Sequence, residues 1–583
     1  MPRVHLAAQS ETANTPGTHQ VTYQLLMPTP DQSLATGTPV FANPRLAEIA
    51  RNVGALGAWV KACDANGIAD AAAGVTGDFS VALRETTGRV SMAVDRFAVH
   101  SLCYRVVGDQ IRFAPRADEL ADADTPIDPQ AIFDYLYYHV IPSPRTIYTG
   151  IYRLPPGHYA VFEGGQLTVA PYWTPVFDEQ RGASFDSLKV EFRQVLQDAV
   201  ATQLDGSKPA CFLSGGTDSS TVAGMASLVS DKAAATYSIG FDAQGYDEME
   251  FARLAAKHFK TEHHEYYVTP ADLVRSIPAV AAHFDQPFGN SSALPAYYCA
   301  KMAREDGVTK LLAGDGGDEL FGGNSRYAKQ RVFGWYGHVP GLFKRGLMEP
   351  LLSTRAAAAF PLTRKAGSYV EQARVPMPDR LQMYNLVMRL GVAEVLTPEM
   401  LTRIDIEQPL QLQRSVWQLA SGCSALNQQL VFDWRFTLAE SDLPKVMGAS
   451  SLAGIGVGFP MLDHHLLDFS LKLPSEYKLR KLKLRWFFKE ALRGFLPDEI
   501  INKKKQGFGL PFGVWANNTP DLLALAKDSL ESLATRGIVR SDFIQTLLTR
   551  RLREHPGYFG EMVWILMMLE QWLQAKAPNF RLS

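Results

Sequence analysis

The chain has 583 residues, with 58 Lys and Arg against 60 Asp and Glu and a net charge of −2, so there is no electrostatic case for nucleic-acid binding. Its 46% hydrophobic and 20% charged content is ordinary for a globular protein, and its length calls for two or three domains rather than one oversized core. The five cysteines (Cys63, Cys103, Cys211, Cys299, Cys423) are scattered, odd in number and form no Cys-x-x-Cys pair, which favours a reducing compartment and offers no zinc or iron–sulfur pattern.

The first residues, Met1 to Leu6, have no apolar stretch of signal-peptide length, and residues 1 to about 20 are polar. A cytoplasmic location follows as the expectation. Pro44 to Cys63 reads as a helix. Gly77–Leu83, Ser91–Phe97, Leu102–Val107 and Gln110–Ala114 read as short strands joined by Gly and Asp turns, an antiparallel layer. Near the other end, Tyr558 to Leu573 is strongly apolar but carries Glu561 and Glu570. It is too short and too interrupted to span a bilayer, and reads as a packed helix.

The chemistry is concentrated in two loops. Pro209–Leu213 reads as a buried strand and Thr221–Val229 as a helix, with Ser214-Gly215-Gly216-Thr217-Asp218-Ser219-Ser220 between them. A glycine loop at a helix N-terminus aims backbone N–H groups and hydroxyls at one point, where the helix dipole favours an anion. Asp218 inside a phosphate loop suggests a divalent cation as well. The alternative is a plain Gly/Ser connection. A Walker A ending is absent, which argues against an ordinary kinase or GTPase. The second loop follows Leu311-Leu312-Ala313 and reads Gly314-Asp315-Gly316-Gly317-Asp318-Glu319-Leu320-Phe321-Gly322-Gly323. Its acids sit at a strand's carboxyl end, where ligands bind in doubly wound sheets, and they lack EF-hand spacing.

Together these loops resemble the synthetase domain of the asparagine synthetase family, whose relatives include β-lactam synthetases and lasso-peptide cyclases. Thr236–Phe241, Tyr246-Asp247-Glu248, His263-His264-Glu265, Asp285–Pro295, Pro460–His464 and Lys505-Gln506-Gly507-Phe508-Gly509 resemble further ordered segments of that domain. The early strands, with Leu154–Tyr159 and Tyr172-Trp173, resemble the second half of the family's glutaminase domain. The implied fold is α/β: a degenerate Ntn-type antiparallel layer over residues 1–175, then a doubly wound parallel-sheet ATP-pyrophosphatase domain over 186–583 with a helical C-terminal part.

The resemblance implies ATP and Mg²⁺ as cofactors. It assigns ATP and pyrophosphate to Ser214, Gly215, Gly216, Asp218, Ser219, Ser220, Ile239, Gly314 and Gly316. The metal goes to Asp218 and Asp318, and catalysis to Lys505 and to Asp315 as base for the attacking amine. Lys505 ends the run Lys503-Lys504-Lys505, a pattern usual for solvated surface. The basic stretch Arg480–Arg485 reads as solvating a loop and a helix start. His263-His264 and Asp463-His464-His465 read as structural rather than metal-binding.

The departures matter. The family's glutaminase nucleophile is a cysteine directly after the initiator methionine; Pro2 stands there, and no cysteine precedes Cys63. Cys63 falls on a helix. Where the family commonly has Lys-Val-Asp-Arg, this chain has Lys445-Val446-Met447-Gly448, and Gly458 stands where an Arg precedes the Val-Pro-Phe-Leu-Asp run. Losing charged partners argues against a small charged substrate such as aspartate, since a lone buried charge is costly. Surface drift is the alternative.

Three classes stay open. The first is a ligase that adenylates a small-molecule or peptide carboxylate and takes its amine from the substrate itself, as lasso-peptide cyclases and β-lactam synthetases do; a precursor peptide and its protease are then the implied partners. The second is an asparagine synthetase using ammonia or glutamine with aspartate. The third is a silent ATP- or partner-binding protein. Neither nucleic acid nor membrane is expected as a partner.

Overall fold

The computed structural model describes residues 33–337, 361–504 and 509–582. The first part is a pair of antiparallel sheets. The larger has five strands in the order β1-β4-β5-β9-β10: β1 (Leu34–Gly37), β4 (Phe79–Arg84), β5 (Val90–Val94), β9 (His158–Glu163) and β10 (Gln166–Pro171). The small pair β2 (Val40–Phe41) and β3 (Val75–Thr76) flanks it. The second sheet has the order β7-β6-β8, from β6 (Cys103–Val107), β7 (Gln110–Ala114) and β8 (Ile151–Arg153).

Period-two alternation in the central strands feeds two cores. Phe79, Val81 and Leu83 join Trp59 and Phe41 on one face. Ala82, Met92 and Val94 join Leu102 and Ile111 on the other. Both faces are covered, so β4 and β5 are buried almost throughout. The expected helix Pro44–Cys63 is two helices, α1 (Pro44–Asn52) and α2 (Ala55–Ala73). They part at Gly54, whose φ of 103° no ordinary side chain adopts easily.

The second part is built on a five-stranded parallel sheet in the order β13-β12-β11-β14-β15: β11 (Ala210–Phe212), β12 (Ala235–Phe241), β13 (Glu262–Val268), β14 (Lys310–Leu312) and β15 (Gly456–Gly458). Every residue of β12 is buried, as a strand covered on both faces requires. Helices α4 (Phe185–Ala201), α5 (Thr217–Val229) and α6 (Met249–Phe259) pack on one side. Helices α7 (Pro270–His283) and α8 (Ala293–Glu305) pack on the other. The chain runs outward from β11 through β12 to β13, then returns to lay β14 on the opposite side of β11. That reversal makes a crevice at the carboxyl ends of β11 and β14, and both glycine loops open there.

The helix Pro556–Lys576 is the apolar segment read from the sequence, longer by a few residues and buried nearly all round. Its Trp564 and Trp572 indoles donate to the Gly289 and Phe284 carbonyls at 2.9 and 3.1 Å. Glu570, fully buried, is held by Arg536 at 2.6 Å. Among the described residues no helix is long and apolar enough to cross a membrane.

The two parts share a core. The sequence reading missed α3 (Pro129–Tyr138), which has Asp128 as its N-cap and eight buried residues. It sinks into the core of the second part, where the Tyr135 hydroxyl donates to the Ile565 carbonyl at 2.8 Å. Nearby, Glu440 (3% exposed) joins Arg153 at 2.5 Å, Arg435, and both the N–H and hydroxyl of Ser143 at 3.1 and 2.8 Å.

Candidate active site

Strand register brings the site together before any side chain is considered. Phe212 is paired with Tyr237 and Cys211 with Leu312. Strands β11 and β14 end within a residue of these pairs, so the loops that begin at Ser214 and Gly314 leave the same end of the sheet side by side. Helix α5 starts at Thr217 rather than Thr221, so Asp218, Ser219 and Ser220 form its first turn. The loop proper is therefore only Ser214-Gly215-Gly216. Ser214 N–H donates to Ser219 Oγ at 3.1 Å and the two hydroxyls lie 3.0 Å apart, which fixes the turn. Gly215 has φ +69°, and a Cβ there would lie 2.5 Å from the Ala252 nitrogen, so no larger residue fits.

The second loop presses onto the first through its own glycines. A Cβ on Gly314 would lie 2.7 Å from the Ser219 nitrogen, and one on Gly317 would lie 2.6 Å from Asp218 Cγ. Gly316, at φ +102°, makes the turn into the helix Gly317–Phe321. Asp218 and Asp318 are thereby brought to one point. Both sit within 2.8 Å of the same nitrogen, Arg485 Nη1, and Arg485 Nη2 contacts Asp218 as well. Two carboxylates this close to one point could hold a divalent cation between them.

Arg485 corrects the sequence reading, which placed it on a solvated stretch. Its side chain is 5% exposed and its guanidinium lies 4.1 Å above the Phe488 ring. Asp218 and Asp318 overcome its burial and hold its pKa above the usual arginine range. Lys503 is likewise drawn in from the lysine run: 8% exposed, 2.8 Å from Glu248, and 3.4 Å from the Gly215 carbonyl. Lys505, Gln506, Gly507 and Phe508 lie outside the described residues. Ser220 is fully buried, its hydroxyl without a hydrogen-bond partner among the described residues, so it is shut off from the open side of the loop. Ile239 is 8% exposed, at the carboxyl end of β12.

Asp315 faces Lys445 at 3.2 Å, and Lys445 reaches Asp442 at the same distance. Burial raises the Asp315 carboxyl above the ordinary carboxylate range, with Lys445 opposing. Burial also works against charge on Lys445, but Asp315 and Asp442 outweigh it and hold that amine above the ordinary lysine range. The result is a carboxylate near the crevice with a cation already beside it.

Met447 and Gly448, the two positions that depart from the family's Asp-Arg, follow on the same helix, Leu443–Ala453. They line a cavity of about 290 Å³ between the two parts of the chain, together with Val99, His100, Phe284 and Glu440. A Cβ on Gly448 would press into the Phe284 ring, so the missing side chain has been replaced by an aromatic face. Gly458 departs elsewhere, on β15, where a Cβ would lie 2.8 Å from Lys310 Cε.

The remaining candidates make local contacts. His263 Nδ1 lies 3.0 Å from Thr236 Oγ1, and His264 stacks on Tyr237 with Nδ1 3.1 Å from Asp306. Asp463 caps the helix His464–Lys472 by accepting the His465 N–H at 2.8 Å. Cys63 lies inside α2, and burial pushes its thiol up to about 12.

The asparagine synthase sequence profile matches residues 191–574, more than half of the chain. The chain belongs to the asparagine synthase family. It is accordingly an ATP-dependent carbon–nitrogen ligase of the kind that forms AMP and pyrophosphate. A glutamine amidotransferase domain profile matches residues 59–173. The glutamine-hydrolyzing asparagine synthetase 1 of Bacillus subtilis (strain 168) is 25% identical over 484 residues, 82% of this chain and 74% of that protein. A putative glutamine-hydrolyzing asparagine synthetase of Mycobacterium tuberculosis (strain ATCC 25618 / H37Rv) is 24% identical over 412 residues, 68% of this chain. The chain spans 60% of that relative's length. Amidase chyE of Penicillium rubens is 22% identical over 496 residues, 75% of this chain and 70% of that protein.

Proposed function

We propose that this family member adenylates a carboxylate other than free aspartate and joins it to an amine carried by the substrate itself, as in macrolactam or β-lactam formation. The observation that carries the reading is the cavity wall at Met447 and Gly448. Met447 and Gly448 bring no charge to that wall and the Phe284 ring fills the space beside Gly448, so the charged lining that remains, Arg116, Arg153, Asp285 and Glu440, comes from other elements.

In the first step a carboxylate oxygen of the substrate attacks the α-phosphorus of ATP, the bond to the β-phosphate breaks, and pyrophosphate leaves. Ser214, Gly215, Gly216 and Ser219 present the loop's donors to it. Asp218 and Asp318 would hold Mg²⁺, which when bound supplies compensating charge to the phosphate oxygens. Lys503 adds a cation at Gly215, and Lys505 keeps its sequence-based place at the α-phosphate. In the second step the amine nitrogen attacks the acyl carbon, AMP leaves with the bonding pair, and the amine loses a proton to Asp315. Lys445 holds Asp315 in place until then. The division into a glutaminase-like layer over 1–175 and a synthetase over 186–583 belongs to the same proposal. So does loss of glutamine hydrolysis, supported by the half-buried Cys63, whose thiol burial pushes up to about 12.

A second reading, asparagine synthesis from aspartate with ammonia or glutamine, is favoured by the names of the relatives. ATP–pyrophosphate exchange separates the two. Exchange that needs a peptide or a bulkier carboxylate supports the first, and exchange with free aspartate replaces it with the second. In either case Asp318→Asn should lower exchange by about 100-fold or more, the cost of removing one preorganised electrostatic group.

A further inference from the structure

Arg485 occupies the place where the metal was expected. It is reached by an unusual backbone: φ 53°, ψ 36°, the left-handed region, at the start of the helix Trp486–Ala491. That conformation is uncommon for a residue with a side chain. Here its N–H bonds the Gly322 carbonyl at 3.2 Å, just beyond the acidic helix. Gly323 leaves room for both Asp318 and Arg485; a Cβ there would lie 2.6 Å from Arg485 Cδ. The guanidinium is thus seated against Phe488 and clasped by a carboxylate from each glycine loop.

Charge limits what this position can hold. Two carboxylates and one guanidinium sum to −1. A divalent cation needs the same carboxylate oxygens, and a guanidinium left beside it would face like charge at contact distance in a buried site. One of the two cations has to go. A buried guanidinium does not leave for nothing, because the Coulomb attraction it loses is not returned by water while Phe488 and the loops still enclose it. It can leave when another anion takes it, and the phosphates of a nucleotide in the crevice are that anion.

We infer that Arg485 is a latch that closes the metal position of the nucleotide-free enzyme and opens only when phosphate accompanies the metal. The inference rests on the reading of Asp218 and Asp318 as metal ligands. Free divalent cation is excluded in the resting state, the two loops stay bound to each other without it, and metal and nucleotide bind as a cooperative pair. By linkage the cooperativity is reciprocal: metal raises the affinity for nucleotide by the same factor as nucleotide raises the affinity for metal.

The test is equilibrium dialysis of Mn²⁺ against the full chain, counting protein-bound metal with and without ATP and with inorganic pyrophosphate. Thermal melting is followed in parallel. The wild type should bind Mn²⁺ at least tenfold more tightly with ATP than alone, and Mn²⁺ alone should leave its melting temperature unmoved. Arg485→Met, which keeps an unbranched side chain over Phe488, should gain at least tenfold in Mn²⁺ affinity without nucleotide, and its melting temperature should rise with Mn²⁺. Arg485→Lys, which keeps the charge, should resemble the wild type. Equal Mn²⁺ affinity of the wild type with and without ATP overturns the latch, and that measurement needs no variant to fold. Absence of protein-bound Mn²⁺ even with ATP overturns the metal reading of Asp218 and Asp318 and the latch with it.

Discussion

Glu440→Gln is the sharpest perturbation of the join between the two parts. Glu440 is 3% exposed and neutralises two arginines, Arg153 at 2.5 Å and Arg435, each 13% exposed, while accepting two hydrogen bonds from Ser143. Gln retains one acceptor for Ser143 but turns an N–H₂ donor towards an arginine that also only donates. One charge-assisted hydrogen bond is lost, about 1.5–3 kcal/mol. The stranded arginines raise the total towards the roughly 3–5 kcal/mol typical of a broken buried pair. At about 2–4 °C per kcal/mol for a unit of 150–250 residues, the apparent melting temperature should fall by about 6 °C or more. Differential scanning calorimetry reads this directly. The double change Glu440→Gln with Arg153→Met should recover much of the loss, because fewer charges are left unpaired. A fall of less than about 1 °C would refute the argument. It would mean that the arginines are satisfied by carbonyls already in reach, such as Ile141 at 2.8 Å from Arg153.

Three further outcomes rest on single contacts. Lys478 is fully buried, with its amine 5.0 Å from the Phe177 ring and no hydrogen-bond partner among the described residues. Burial pulls its pKa down to about 7, with Glu179 opposing. An unfolded lysine titrates near 10.4, so between about 7 and 10 the unfolded chain holds the extra proton and stability climbs with pH. Lys478→Met should flatten that climb and stabilise the protein at pH 7, as read by urea denaturation at pH 7 and 9.5; an unchanged slope would count against it. Gly317→Ala puts a methyl group against the Asp218 carboxylate. It should slow ATP–pyrophosphate exchange by about tenfold or more, since a 1 Å misplacement of a reacting group costs up to about 10²-fold in rate. Cys63 should resist iodoacetamide at pH 7.5, since thiolate is the reactive form and burial pushes its thiol up to about 12. Rapid labelling of Cys63 that abolishes a measurable glutamine hydrolysis would reopen its dismissal as a nucleophile.

The two glycine loops were legible in the sequence because their requirements are local. A phosphate turn needs glycines at fixed offsets, and acids at a strand's end have few other uses. The strands that lead into the two loops and the long apolar helix were legible for the same reason, with ends displaced by a few residues, whereas β13 and β15 were not read as strands. Arg485 and Lys503 were not. Each sits in a basic run whose neighbours are solvated, and only the return of the chain across the crevice buries the one member that meets Asp218 or Glu248. Helix α3 was missed although its eight buried residues are largely apolar. The surface that buries it comes from residues hundreds of positions later, and no local periodicity announces it.

That helix has a consequence for dissection of the chain. A protein cut to begin at residue 186 would keep both glycine loops, yet it would lose the Tyr135 anchor on Ile565 and leave a trough in its own interior. The synthetase is not a module with an accessory in front of it. Its hydrophobic interior is completed by a piece of the preceding layer, so neither part can be removed without opening the core of the other.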